Sequence, residues 1–233
     1  MIRNLRSRAG CACLFGLFLL PAQGALITYT SRAAFNAAVP GLPTETFESG
    51  LVGAGAVTTC AGPLSSTSTG GCFPTGTLLP GVVYSADTGS MALLGAGFDG
   101  VGNASKVLGP NLFADTLTLA FAQANSAGFD VFAGPSPGNV LISVFGPANT
   151  LLGSFTVSAP AGGTFFGLMS DAGAIGRINI ASQTATPGEL IDNLSFGSSA
   201  PEPASLLLLA PGLAILAWSR KRRGASAISS RET

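Results

Sequence analysis

Histidine is absent from this chain of 233 residues. The commonest general base and the commonest metal-ligating side chain are therefore both missing. Charge is scarce too, at 9% of residues, and it sums formally to zero. Its distribution is uneven. Arg3, Arg6, Arg8, Arg220, Lys221, Arg222, Arg223 and Arg231 crowd the two ends. Between residues 25 and 200 only Arg32, Lys106 and Arg177 are basic, against nine Asp and Glu, a net of −6. An acidic body with no basic stripe excludes nucleic acid as a partner. Tryptophan occurs once, at position 218, and tyrosine twice, at 29 and 84. Flat aromatics for stacking on sugars are thus few, and the many Phe of the body alternate as core residues do.

What is present begins with the N-terminus, "MIRNLRSRAGCACLFGLFLLPAQGALITYT". Three arginines precede the apolar stretch Cys11–Leu20. Pro21 breaks it, and Ala22 and Gly24 supply small residues at the −3 and −1 positions of a cleavage site. This is the layout of a secretory signal peptide over residues 1–24, removed by signal peptidase. Ten apolar residues are too few for a membrane anchor.

The other end carries "PEPASLLLLAPGLAILAWSRKRR". Ala204–Trp218 is fifteen residues of nearly pure apolar character. At about 1.5 Å per residue such a helix spans roughly 22 Å, against a hydrocarbon core of ~30 Å. Pro211 and Gly212 interrupt it, which a membrane helix tolerates. The sequence predicts a single short transmembrane helix over 204–219. Arg220, Lys221, Arg222 and Arg223 act as the stop-transfer cluster and hold that side in the cytoplasm. The body is then outside and residues 224–233 form a cytoplasmic tail.

Pro201-Glu202-Pro203, a short apolar helix and a basic cluster, in that order and spacing, resemble the PEP-CTERM sorting signal of Gram-negative bacteria. The resemblance covers Pro201–Arg223 and sets a sorting-signal segment at residues 199–223. It implies recognition by an exosortase, a membrane cysteine protease, with cleavage near the tripeptide. The protein would stay in the inner membrane only transiently and then reach the cell surface or extracellular matrix.

Residues 25–198 read as an all-β domain. "DTLTLAF" alternates, with Leu117, Leu119 and Phe121 on one face. "GFDVFAG", "NVLISVFG", "TLLGSFTVSA", "TFFGLMSD", "GRINIASQ" and "ELIDNLSFG" follow at roughly twelve-residue spacing, punctuated by Gly, Pro, Asn or Ser. This cadence predicts an antiparallel β-sandwich or barrel. One short helix is expected in "TSRAAFNAAVPG", capped by Thr30 or Ser31, with Phe35 and Val39 on one face and Pro40-Gly41 ending it. The stretches "SRAAFNAAVPGLPTETFES", "GFDVF", "FFGLMSD" and "IDNLSFG" also resemble the jelly-roll-like ectodomain that PEP-CTERM proteins often carry. That resemblance implies a fold rather than an activity.

After signal-peptide removal two cysteines remain, Cys60 and Cys72. An even pair in an exported chain predicts a disulfide. A nucleophilic thiol would need a base such as histidine.

Three further signals bear on chemistry. "DTGS", Asp87–Ser90, matches the tetrapeptide of aspartic peptidases. Those enzymes need two such aspartates sharing a proton, and this chain has one. Asp-Thr-Gly also suits a hairpin turn between "VVYS" and "MALLG". "GAGFDG", Gly95–Gly100, fits G-x-G-x-x-G, but no helical pattern follows it, so a loop is expected rather than a dinucleotide site. Glu48 in "TFES" and Asp192 in "LIDNLS" are similar in chain position to the carboxylates that hold a structural calcium in many sugar-binding jelly rolls, and calcium is the one metal the sequence suggests.

The leading expectation is an exported non-catalytic surface or matrix protein, sorted by its C-terminal tail. A module binding extracellular polysaccharide, with a structural calcium, is the alternative. A hydrolase using carboxylates such as Asp87 is a remote third.

Overall fold

The computed structural model describes residues 25–198, apart from 70, 172 and 184–187. The expected signal peptide, the Pro201-Glu202-Pro203 motif, the span 204–219 and the cluster 220–223 lie outside the described residues. Among the described residues no helix is long and apolar enough to cross a membrane.

The chain forms two antiparallel sheets packed face to face. Its strands are β1 (Leu26–Tyr29), β2 (Thr44–Glu45), β3 (Val57–Ala61), β4 (Val82–Ala86), β5 (Ser90–Leu94), β6 (Val107–Pro110) and β7 (Leu117–Phe121). Next come β8 (Ser126–Phe132), β9 (Gly138–Phe145), β10 (Leu151–Ala159), β11 (Thr164–Ser170), β12 (Arg177–Ser182) and β13 (Leu190–Gly197). The larger sheet runs β1-β11-β8-β13-β6-β5-β3, with β2 on β13. The smaller runs β10-β9-β12-β7-β4. From β3 onward the chain crosses repeatedly between the sheets, as in a jelly roll.

Alternation in the sequence becomes burial in the structure. Leu117 and Leu119 are wholly buried and Phe121 nearly so. They meet Ile178 and Ile180 of β12 and Val140, Ile142 and Val144 of β9 on the inner face of the smaller sheet. Phe129, Val131, Leu168, Ile191 and Leu194 cover the facing sheet. Each large side chain removed from water contributes about 1.5–3 kcal/mol. All seven segments expected between residues 115 and 197 form strands.

The expected helix is α1 (Arg32–Ala38). Ser31, in extended conformation, caps it by accepting from the Ala34 amide. Phe35 and Val39 are buried on one face, and Gly41 leaves the turn with φ of 79°.

Asp87–Ser90 does form a turn, closed by the Gly89 amide on the Ala86 carbonyl at 2.9 Å. It is not a hairpin. β4 pairs with β7 in one sheet, while β5 pairs with β3 and β6 in the other. The turn is an arch between layers. Local turn chemistry is the same in both cases, so only the pairing of distant strands distinguishes them.

Cys60 and Cys72 are joined, with Cα atoms 5.6 Å apart. Both are buried, so the bridge ties the intervening polar segment to the core.

The body has a polarity. The Asp171 amide donates to the Ala25 carbonyl at 3.3 Å, the Ser170 amide to Asn125 at 2.8 Å, and the Asn125 amide to Gly197 at 2.9 Å. Residue 25 and residue 198 therefore leave the larger sheet at one end. Phe132, paired with Leu190, marks the opposite end of the same strands.

Candidate functional site

Two recesses open at the end remote from residues 25 and 198. Both lie on the outer face of the larger sheet, and the loop Gly95–Ser105 runs between them. That loop holds the Gly95–Gly100 motif. Gly95 passes the Gly53 carbonyl so closely that a Cβ would sit 1.9 Å from its oxygen. A 3-10 turn, Phe98–Gly100, follows where a nucleotide fingerprint would need a helix. Asn103 ties the loop by donating to the carbonyls of Gly95 and Ser105 at 2.9 and 2.8 Å. Val101 is pressed into a small second core with Ala92, Leu94, Val107, Phe132 and Leu190.

The first recess is polar, about 320 Å³, between Ser105, Asp130, Thr164, Phe165, Asp192 and Asn193. It exists because β13 is irregular. Its register with β8 shifts between Asp192 and Ser195, and Asn193 takes a left-handed φ of 49°. Such a bulge re-aims side chains. Asn193 Nδ2 donates to Asp130 Oδ2 at 2.9 Å and to Asp192 Oδ2 at 3.1 Å. Asp192 Oδ1 accepts from the Asn193 amide at 2.6 Å, and Ser105 Oγ donates to Oδ2. Arg32 closes the far side. Its Nη2 lies 3.0 Å from Asp130 Oδ1 and 3.0 Å from the Asn193 carbonyl, and its guanidinium sits 4.6 Å over the Phe165 ring.

Asp192 is 1% exposed. Burial pushes its pKa up to about 6, against the opposing bonds from Ser105 and Asn193 and with help from the charges of Asp130 and Glu48. The charge of Glu48 is thus felt at Asp192, though Glu48 does not line the recess. Glu48 is held by Lys106. Its Oε1 accepts from the Lys106 amide at 2.8 Å. The Lys106 ammonium donates to the Glu48 and Gly50 carbonyls at 2.8 and 2.9 Å and lies 3.9 Å from Glu48 Oε2. Two carbonyls and a carboxylate are oxygens of the kind calcium takes; here the Lys106 ammonium bonds the two carbonyls and the Lys106 amide bonds the carboxylate. Among the described residues no group of three or more Asp, Glu or Cys is arranged to hold a metal.

The second recess is an apolar groove of about 450 Å³. Ala92, Leu94, Phe98, Phe113 and Leu190 are among the residues that line it. Phe113 is 60% exposed and Val57 48%. Phe113 departs from the expectation that Phe residues serve the core. Phe113 sits in "PNLFAD" between β6 and β7, outside any alternating run, and that context was the available signal.

Four other carboxylates, Asp87, Asp115, Glu189 and Glu45, cap backbone. Asp87 Oδ2 accepts from the Thr116 amide at 3.0 Å, and Asp115 Oδ2 from the Thr88 amide at 3.1 Å and from its hydroxyl. The two exchange bonds between the Asp87–Ser90 arch and the loop before β7. Glu189, fully buried, accepts from Leu117 at 3.1 Å and from Ser182 at 2.9 Å, bridging the two sheets. Burial raises its pKa to about 7, against those bonds and with a further push from Asp115. Glu45 accepts from the Phe47 and Leu79 amides at 3.0 and 2.7 Å.

No family model matches the chain, and no curated protein matches it. Among solved structures it is similar to a family 6 carbohydrate-binding module, studied by binding sub-site dissection. Identity is 18% and the TM-score 0.30, over 48% of this chain and 86% of that one. A likeness that slight carries no argument about ligand.

Proposed function

We propose that the chain is an exported, non-catalytic protein of the cell surface or extracellular matrix. Signal peptidase removes residues 1–24, and an exosortase processes the tail near Pro201-Glu202-Pro203. The observation that carries the reading is the polarity of the sandwich. Its first and last described residues leave one end, beside a shallow recess of about 380 Å³ lined by Asn125, Asp171 and Ser198, while the polar recess and the apolar groove open at the other. A body held by its C-terminal end would turn the latter two outward. The buried Cys60–Cys72 bridge agrees, since such bonds persist in oxidising compartments.

A second reading, binding of extracellular polysaccharide, is favoured by the groove and by its exposed Phe113. It makes the body a binding module rather than an inert coat.

Cell fractionation with and without the host exosortase, with C-terminal peptide mapping, tests the sorting. Surface protein lacking residues 204–218 is expected only where the exosortase is present. Glu202→Ala is expected to leave uncleaved protein in the inner membrane. Surface protein that keeps 204–218 in both strains overturns the reading.

A further inference from the structure

We infer that the groove between Phe98 and Phe113 is a subsite for a sugar ring of a neutral glycan, one without uronate or sulfate groups. The inference rests on the proposed surface function and names the ligand of one recess.

A pyranose presents an apolar C–H face and a polar hydroxyl edge. The groove matches both. Its floor and walls are aliphatic and aromatic, and Phe113 offers a ring that is 60% exposed. Flat, rigid rings give contact area at little entropic cost. Polar groups sit at the rim, where hydroxyls would lie: Asp99, Asn111 and Ser136. Thr59 Oγ1 donates to Asn111 Oδ1 at 3.2 Å, which fixes the amide plane and leaves Nδ2 as a donor. A few polar groups around an apolar recess of this volume are the usual make-up of a small-ligand site.

Charge narrows the class. No lysine or arginine lines the groove, and its one ionisable group is the Asp99 carboxylate. Uronates, sulfated sugars and fatty acids would bring like charge to that rim, and like charge discriminates against a partner. Asp99 is also held in a left-handed conformation, φ 37° and ψ 44°, unusual for a residue with a side chain. Strain of that kind is retained where the surroundings impose it and clusters at ligand sites.

The test uses the full chain, purified in detergent, on a glycan array followed by calorimetry with the best neutral oligosaccharide and an alginate oligomer. Phe113→Ala should weaken neutral-glycan binding at least tenfold, and Phe113→Trp should keep it within about threefold, as stacking area predicts. Alginate should bind at least tenfold more weakly than the neutral oligomer. Phe113 is largely exposed, so both variants should keep the wild-type melting temperature and the Cys60–Cys72 bridge. Absence of neutral-glycan binding, binding unchanged in Phe113→Ala, or a preference for alginate overturns the inference. Binding by an apolar peptide that no neutral glycan displaces also overturns it. Array binding does not depend on the exosortase, so failed sorting with intact glycan binding would sink the location reading and leave this one standing.

Discussion

Lys106 and Glu48 are joined three ways: amide to carboxylate at 2.8 Å, ammonium to carbonyl at 2.8 Å, and ammonium to carboxylate at 3.9 Å. The ammonium also holds the Gly50 carbonyl. One side chain thereby closes the loop after β2 onto the start of β6. Lys106→Ala removes two charge-assisted bonds and should cost about 1–2 kcal/mol, discounted because Glu48 is half exposed. The ammonium holds two carbonyls for which calcium would have to compete, so excess chelator is expected to leave the melting temperature of the native chain unchanged. A fall on chelation that calcium reverses would show that a metal, not Lys106, holds this corner.

Reduction should act more strongly than chelation. The Cys60–Cys72 bridge closes a short loop of polar residues, worth about 3 kcal/mol in the chain-entropy model. Unreduced protein should resist alkylation at both cysteines. Melting with and without reductant, and of Cys72→Ser, measures the stabilisation. Equal melting temperatures in all three would show that the bridge contributes nothing.

Stability should fall as pH rises from acid to neutral. Glu189 is raised from 4.5 to about 7 and Asp192 from 3.8 to about 6, both chiefly by burial. A raised carboxyl binds its proton more tightly in the folded state. Its contribution is complete below the unfolded value and is lost as pH climbs through the folded one. For Glu189 that window is about 4.5 to 7, with a change on the order of 3 kcal/mol. Glu189→Gln should flatten the upper part of the profile. It should also lower stability throughout, because its NH2 group would oppose the Leu117 or Ser182 amide. A wild-type melting temperature that rises steadily from pH 4.5 to 7 would contradict the assignment.

How far the sequence discloses this molecule depends on whether a feature is local. The seven strands after residue 115, the Ser31 cap and the cysteine bridge are written in periodicity, short motifs and parity. The Asp87–Ser90 arch was half legible, because the turn is local and the sheet assignment is not. Arg32 and Asn193 are separated by 161 positions, and only the packing of α1 on the larger sheet brings them together. Glu189 and Glu45 stand in no sequence pattern that marks them as buried. Their burial follows from where the sheets close, and their cost is offset by backbone amides that no motif announces.

The Arg32 cluster gives a prediction in which position and pH must agree. Arg32 pairs with Asp130, and Asp130 in turn presses on Asp192 through the Asn193 amide that bridges them. At pH 5 Asp192 is mostly protonated, being raised to about 6, and Asp130 faces a neutral neighbour. At pH 7.5 Asp192 is ionised, and the guanidinium is the positive charge that balances the pair. Arg32→Ala should therefore destabilise the chain more at pH 7.5 than at pH 5. Part of the cost is independent of pH, since the Phe165 contact and the bond to the Asn193 carbonyl are lost at either value. Asp192→Asn removes the titrating charge but keeps an acceptor for Ser105. In that background Arg32→Ala should cost the same at both pH values. Denaturant unfolding of the four combinations at pH 5 and pH 7.5 forms the double-mutant cycle. A cost of Arg32→Ala that is equal at both pH values in the wild-type background would show that the guanidinium serves Phe165 and the carbonyl alone, not the carboxylate pair.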